Sequence, residues 1–337
     1  MFQSFSTTGI GSLPHKDPVE ACNIILDHVD IPFWPQLPHR SFLELMVPQY
    51  SEGFPFVKIE DEHIYVGKAD EGALTKFYED IANNTGFPTS KDYAAGLYAF
   101  VDILKERGKK YKSVKGHATG PLTFMLGLTD NNKRPIYFDE EMRELAFEFL
   151  KGKISWQIDM LKPYCEKVLF FIDEPILSAL GSSSYMGVST EEALRLLKGT
   201  IKHIQDCGAA AGIHCCGKAD WTLALATGLD VFNFDAYFFW NTLSIYPEEM
   251  KKFIDNNGYI AWGIVPTTDD IKNVDIQILH EQLERGLNSL EEAGISREKL
   301  RNQVILTPSC GTGSLMPADA IKAFTLLKEL KGRYVSK

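Results

Sequence analysis

Residues 167–217 read KVLFFIDEPILSALGSSSYMGVSTEEALRLLKGTIKHIQDCGAAAGIHCCG. The stretch opens with an apolar run that ends in Asp173-Glu-Pro175. Over 190–207 its apolar residues recur at helical spacing, and it closes on a second β-rich run ending in His214-Cys-Cys-Gly217. Strand, crossover helix and strand in that order predict a parallel pairing. Each strand ends in residues that carry chemistry rather than packing.

The same alternation extends in both directions. Eight β-rich runs are read at 7–13, 31–37, 113–119, 167–173, 211–216, 231–235, 259–265 and 304–309. Amphipathic segments at 17–29, 90–107, 139–162, 190–207, 247–256 and 277–293 separate them, the last closing at Gly294 as a helix does. Residues 54–67 alternate apolar and polar around an acidic turn and predict a β-hairpin inserted after the second strand. Eight β units alternating with helices predict a (β/α)8 TIM barrel, with a doubly wound open sheet as the alternative. The clustering of polar residues at strand ends favours the barrel, which gathers the C-terminal ends of all its strands on one face. Those residues are Gly11-Ser12, Gln36, Thr119-Gly-Pro121, Asp173-Glu-Pro175, His214-Cys-Cys-Gly217, Asp235 and Ser309-Cys-Gly311. No linker-like or low-complexity tract divides the chain, so residues 1–337 are read as one barrel domain.

Composition narrows the partners. The 337 residues carry 35 Lys+Arg against 45 Asp+Glu, a formal net charge of −10, and no basic run, which argues against nucleic acid and anionic membranes. No apolar stretch reaches the roughly 18 residues that span a bilayer, and the first residues lack the pattern of a signal peptide. A cytoplasmic protein with reduced thiols is expected, so the six cysteines are core residues, metal ligands or reactive thiols before they are disulfides.

Gly212-Ile-His-Cys-Cys-Gly217 is the strongest chemical signal. Side chains two apart on a strand share a face, so His214 and Cys216 can meet one ion while Cys215 points away. Imidazole and thiolate are zinc ligands, and Cys310, at the end of the eighth run, is the natural third. Asp235 could supply a fourth, although a carboxylate holding a loop by hydrogen bonds would look the same. Cys22, Cys165, Cys207 and Cys215 are left as core or surface thiols. Asp173 and Glu174 follow an apolar strand, where carboxylates need a partner or a ligand. One can bind a cationic substrate group while the other anchors a neighbouring loop, unless both merely cap the turn before Pro175. Glu44 is a fainter substrate-binding candidate, against the reading of an exposed helix acid. Gly11-Ser12 is either an anion-binding backbone segment or a plain tight turn.

Taken together, Thr8-Gly-Ile-Gly-Ser-Leu-Pro14, Thr119-Gly-Pro-Leu-Thr123, Ile172-Asp-Glu-Pro175, His214-x-Cys216 and Ser309-Cys-Gly311 resemble, in order, the C-terminal barrel of cobalamin-independent methionine synthase, of the uroporphyrinogen-decarboxylase-like superfamily. The resemblance runs from about residue 7 to 315. It implies a methyltransferase that activates a thiol, homocysteine, with Zn2+ held by His214, Cys216 and Cys310. It also implies that Asp173 holds the homocysteine amino group and that Ile10, Gly11 and Ser12 bind its carboxylate. Asp235 stands where the family has a Glu ligand, Thr268 falls near the family's proton-donating His, and the family's additional N-terminal barrel has no counterpart in the chain. These departures shift the expected methyl donor from methyltetrahydrofolate to methylcobalamin or a methylated corrinoid protein. The alternatives are a corrinoid-dependent enzyme with another thiol acceptor, such as coenzyme M, and a non-catalytic zinc- or corrinoid-binding accessory protein.

Overall fold

The computed structural model describes residues 1–68, 70–83 and 86–335. Its strands are β1 (Ser6–Thr7), β2 (Val57–Glu60), β3 (His63–Val66), β4 (Tyr111–Thr119), β5 (Thr129–Asp130), β6 (Cys165–Asp173), β7 (Ala210–Cys215), β8 (Val231–Phe234), β9 (Tyr259–Val265) and β10 (Val304–Pro308). Seven of them form a parallel sheet in the order β1-β10-β9-β8-β7-β6-β4. The last strand therefore lies beside the first, and the sheet curls in the manner of a TIM-like barrel.

Eight regular strands are not formed. The expected strand at 7–13 is regular only over Ser6–Thr7, and the one at 31–37 forms no regular strand. Pro32 and Pro35 remove two backbone donors from that run, which breaks a continuous ladder. What remains are parallel bridges of Phe33 with Lys115 and of Gln36 with Ser12. Ile31 N–H donates to the Thr7 carbonyl at 3.0 Å, and the Pro32 carbonyl accepts from Lys115 N–H at 2.7 Å. Residues 31–37 thus lie between β1 and β4, hydrogen-bonded to both.

Alternation along the strands sorts two apolar layers. Leu169 and Phe171 of β6, Ala210 of β7, Val231 of β8, Ala261 of β9 and Ile305 of β10 pack on one another on the concave side. Val168, Phe170 and Ile172 face the opposite way, into the larger core shared with the helices. Complete burial of a Phe or Ile side chain contributes about 1.5–3 kcal/mol.

The helices follow their local signals. Asp17, Asp139, Ser189 and Asp275 cap the helices Pro18–His28, Glu140–Leu161, Thr190–Asp206 and Ile276–Glu292 by accepting first-turn N–H groups. The helix expected from residue 90 starts at Ala95. Its first turn is pressed so closely on 31–37 that a Cβ on Gly96 would stand 1.8 Å from the Pro35 carbonyl oxygen. Among the described residues, no helix is long and apolar enough to cross a membrane.

The expected hairpin is present. β2 and β3 pair antiparallel, Val57 opposite Val66 and Glu60 opposite His63. β5 then adds to β3 in parallel, making a separate three-stranded sheet that periodicity alone did not foretell. The two-residue turn puts both Asp61 (φ +47°) and Glu62 (φ +58°) in the left-handed region, a conformation that favours Gly at the second position. Glu62→Gly should therefore stabilise the protein by about 1 kcal/mol, read as a rise in the urea midpoint at unchanged m-value.

Candidate functional site

Parallel pairing sets Thr119 of β4, Asp173 of β6, His214 of β7 and Asn233 of β8 in one row, each opposite the next. The row continues through Ala261 and Ile305, which belong to the concave apolar layer, so its members share that face. Cys216 lies just past β7 and Cys310 just past β10. Three strand spacings would put these elements about 14 Å apart in a flat sheet. The curl instead brings His214, Cys216 and Cys310 together, with their ligand atoms all within 4.8 Å of one another. Among the described residues this is the cluster of three or more His, Cys, Asp or Glu able to hold a metal ion.

The donor set fits zinc. His214 Nδ1 is hydrogen-bonded to Asn233 Oδ1, while Nε2 is buried without a hydrogen-bond partner. One borderline nitrogen and two thiols match a three-ligand zinc site that leaves a fourth position for an exchangeable group. The thiols are not equivalent. Contact with Cys310 and with His214 pulls the Cys216 thiol down towards thiolate, and that same contact with Cys216, together with burial, pushes Cys310 up. Cys215 turns into the core, where burial raises its thiol to about 12.

Asp235 stands outside the trio. Its Oδ1 accepts the Phe238 N–H at 3.0 Å and so caps the short helix Ala236–Phe239. Burial pushes its carboxyl up to about 6. The Phe238 hydrogen bond engages one of its two carboxylate oxygens in holding the loop.

A cavity of about 200 Å³ adjoins the trio and is lined in part by Ile10, Ser12, Glu44, Asp173 and Pro175. Of the lining residues, Asp173 has a buried Oδ1 that lacks a hydrogen-bond partner. Glu44 lines the wall but is neither exposed nor free. It is fully buried, with Oε2 accepting the Leu37 N–H and Oε1 an Arg40 guanidinium N–H, both at 2.9 Å. Ser12 is tied to the loop after β10, its hydroxyl accepting the Gly313 N–H at 3.2 Å and its carbonyl the Thr312 N–H at 2.9 Å. Gly11 is required by close approach, since a Cβ there would stand 2.9 Å from the His117 ring. Thr268 is exposed and caps a 3-10 turn over Asp269–Lys272.

Of the two adjacent acids, Glu174 anchors the loop. Its Oε1 accepts the Leu122 N–H at 2.9 Å, and its Oε2 the Thr123 N–H and hydroxyl at 2.9 and 2.6 Å. This clamp explains Gly120, where a Cβ would fall 2.2 Å from Oε1.

Sequence reading passed over three residues beneath the cavity. Lys115 donates to the Ile10 carbonyl and lies 4.6 Å over the Phe171 ring. Burial drives Lys115 and the nearby Asp173 towards their neutral forms, and their mutual attraction opposes it. His117 stacks on Trp34 at 4.0 Å, with burial and then the Lys115 charge holding it neutral. Asn233 is wholly buried. The available signal was the placement of polar residues inside apolar strands, Lys115-x-His117-x-Thr119 and Phe232-Asn-Phe234.

No family model matches the chain, and no curated protein matches it by sequence. Similarity lies in the fold. A B12-independent methionine synthase from Shewanella sp. W3-18-1, in complex with selenomethionine, superposes with a TM-score of 0.59 at 12% identity, over 98% of each chain. A methyltransferase from Methanosarcina mazei gives 0.58 at 12% identity, over 97% of this chain and 92% of that one. The chain thus resembles both in its overall fold.

Glu174→Ala would leave the buried Leu122 and Thr123 N–H groups unpaired, and should cost at least about 2 kcal/mol of stability, measured by urea unfolding.

Proposed function

We propose that the chain is a zinc-dependent methyltransferase that transfers a methyl group to the thiol of homocysteine, giving methionine. The observation that carries this reading is the convergence of a partnerless His214 Nε2 with the Cys216 and Cys310 thiols beside a small cavity. The fold likeness supports it, because one similar structure is a methionine synthase holding selenomethionine, which is methionine with selenium in place of sulfur.

Held by His214, Cys216 and Cys310, zinc would supply Lewis acidity that keeps a thiol deprotonated near neutral pH. The chain's own residues do the rest. Asp173, which lines the cavity, offers its carboxylate to the substrate ammonium, a charge-assisted contact that a sulfonate acceptor would lack. The segment Ile10-Gly11-Ser12 receives the carboxylate, held in place by Lys115 below and by the loop after β10. Glu44 shapes the wall by fixing residues 37–40 rather than by contacting substrate, and Asp235 positions the loop next to the metal ligands. Binding in a cavity of about 200 Å³ orients the sulfur and excludes water.

The donor is assigned as methylcobalamin or a methylated corrinoid protein. The thiolate sulfur forms a bond to the methyl carbon as the carbon–cobalt bond breaks, the electron pair staying on cobalt, so no proton is required from the protein. Methyltetrahydrofolate needs protonation of its leaving nitrogen, and Thr268, exposed and engaged in a turn cap, provides no such acid. A corrin exceeds the cavity, so the donor approaches at its mouth.

Methionine formation from homocysteine should be faster with methylcobalamin than with methyltetrahydrofolate, should stop on chelation and should return with zinc. Cys310→Ser should lose metal while Cys215→Ser keeps it. Faster turnover with methyltetrahydrofolate would overturn the donor, preference for coenzyme M would overturn the acceptor, and metal binding without turnover on any thiol would favour the accessory-protein reading. Asp173→Asn should weaken use of homocysteine about ten- to a hundredfold, the value of a charged hydrogen bond. Use of 4-mercaptobutanoate, which lacks the amine, should change little, and equal losses would assign Asp173 a structural role.

A further inference from the structure

His214 is held by a chain of buried groups whose donor and acceptor roles can be worked out from one fixed end. Its Nδ1 meets Asn233 Oδ1, and Asn233 Nδ2 donates to the Ala261 carbonyl at 2.7 Å and to Thr307 Oγ1 at 2.9 Å. Asn233 and Thr307 are fully buried, and His214 nearly so. A backbone carbonyl can only accept, so the Ala261 oxygen requires the amide NH2 on its side. Rotating the amide by 180° would set two carbonyl oxygens against each other out of water, at the cost of a buried unpaired acceptor. The amide orientation is therefore dictated by β9 and β10, and Oδ1 is the atom that faces His214. That oxygen is likewise an acceptor only, so the proton of a neutral His214 must sit on Nδ1. Nε2, buried and without a hydrogen-bond partner, is left with its lone pair on the side of Cys216 and Cys310.

We propose that Asn233 is a positioning residue that locks His214 in its Nδ1–H tautomer, so that Nε2 is ready to bind a divalent cation together with Cys216 and Cys310. The proposal rests on the metal reading above. The three strands that set the tautomer are β8, β9 and β10, and β10 also leads into Cys310. The same arrangement thus presents one ligand and delivers another. An amide suits the role better than a carboxylate here, because two thiolates already balance a divalent ion. An added anion would bring excess negative charge into a buried site beside Asp173.

The test reads the metal and the imidazole separately. In metal-free wild-type protein labelled with 15N-histidine, at a pH alkaline enough for the His214 imidazole to be neutral, the His214 resonances should show a proton on Nδ1 and none on Nε2. Asn233→Leu should abolish that preference and weaken zinc binding tenfold to a hundredfold, the usual effect of losing such a partner, in competition with a chromophoric chelator. Asn233→Asp keeps an acceptor for Nδ1 and should keep the Nδ1–H tautomer, but it sets an oxygen against the Ala261 carbonyl and adds an anion, so it should bind zinc more weakly than wild type and more tightly than Asn233→Leu. Thr307→Val, which keeps the amide in place through Ala261, should cost only a few-fold. Far-UV circular dichroism and the melting temperature of the metal-free variants separate a general loss of fold from a specific loss of affinity. An Nε2–H tautomer in the wild type, or zinc binding by a folded Asn233→Leu protein within threefold of wild type, would overturn the proposal. Failure of the wild type to bind zinc at all would overturn the metal reading and this proposal with it, an outcome distinct from wild-type binding that is indifferent to Asn233.

Discussion

The register of three parallel strands is the constraint on which the rest of the site depends. Asp173, His214 and Asn233 lie opposite one another on β6, β7 and β8. A slip of one residue in β7 would send His214 into the helix-facing core and bring Cys215 to the cavity, because side chains alternate between faces. That register is enforced from below. Leu169, Phe171, Ala210 and Val231 fill the concave side on the same alternation, so the apolar layer and the polar row must shift together or not at all. Packing under the site thus decides which cysteine of the Cys215-Cys216 pair faces the cavity.

Above that layer the molecule accepts several buried polar and charged groups, each of which would be costly alone. Most are satisfied by structure. Glu44 closes the loop over 37–40, Glu174 clamps the helix Pro121–Gly127, and Lys115 holds the Ile10 carbonyl. Two buried atoms of residues that line the cavity are not: Asp173 Oδ1 and His214 Nε2. Buried ring nitrogens of His15 and His117 are also without partners, so lack of a partner does not by itself mark a site. What distinguishes Asp173 and His214 is that they line one cavity together with two thiols, an acceptor for a cation beside donors for a metal.

The adjacent acids after β6 show how one short motif divides its work. Asp173 ends the strand on the concave face, whereas Glu174, next along, points across to the loop after β4 and takes three hydrogen bonds there. One residue of offset turns the first carboxylate to the cavity and the second to the scaffold.

Much of this was legible in the sequence, because it is encoded over a few residues. Alternation on β7 separated His214 and Cys216 from Cys215, apolar periodicity closed at Gly294 marked a long helix, and the acidic turn at 61–62 marked the hairpin. Proline chemistry at 32 and 35 was also present in the sequence, yet the run still read as a strand, since only the bridges to Lys115 and Ser12 show what an interrupted ladder becomes. Asp235 carries the chemistry of a ligand and also caps a short helix through Oδ1, two uses of one carboxylate that composition does not separate. Lys115, His117 and Asn233 acquire meaning only from neighbours on other strands. Strand-end position made Cys310 a candidate partner of His214 and Cys216, but their meeting across three strand spacings is decided by tertiary structure: hydrogen-bond periodicity and side-chain alternation act along the chain, whereas the curl that brings those strand ends within side-chain reach is set by the packing of the whole sheet.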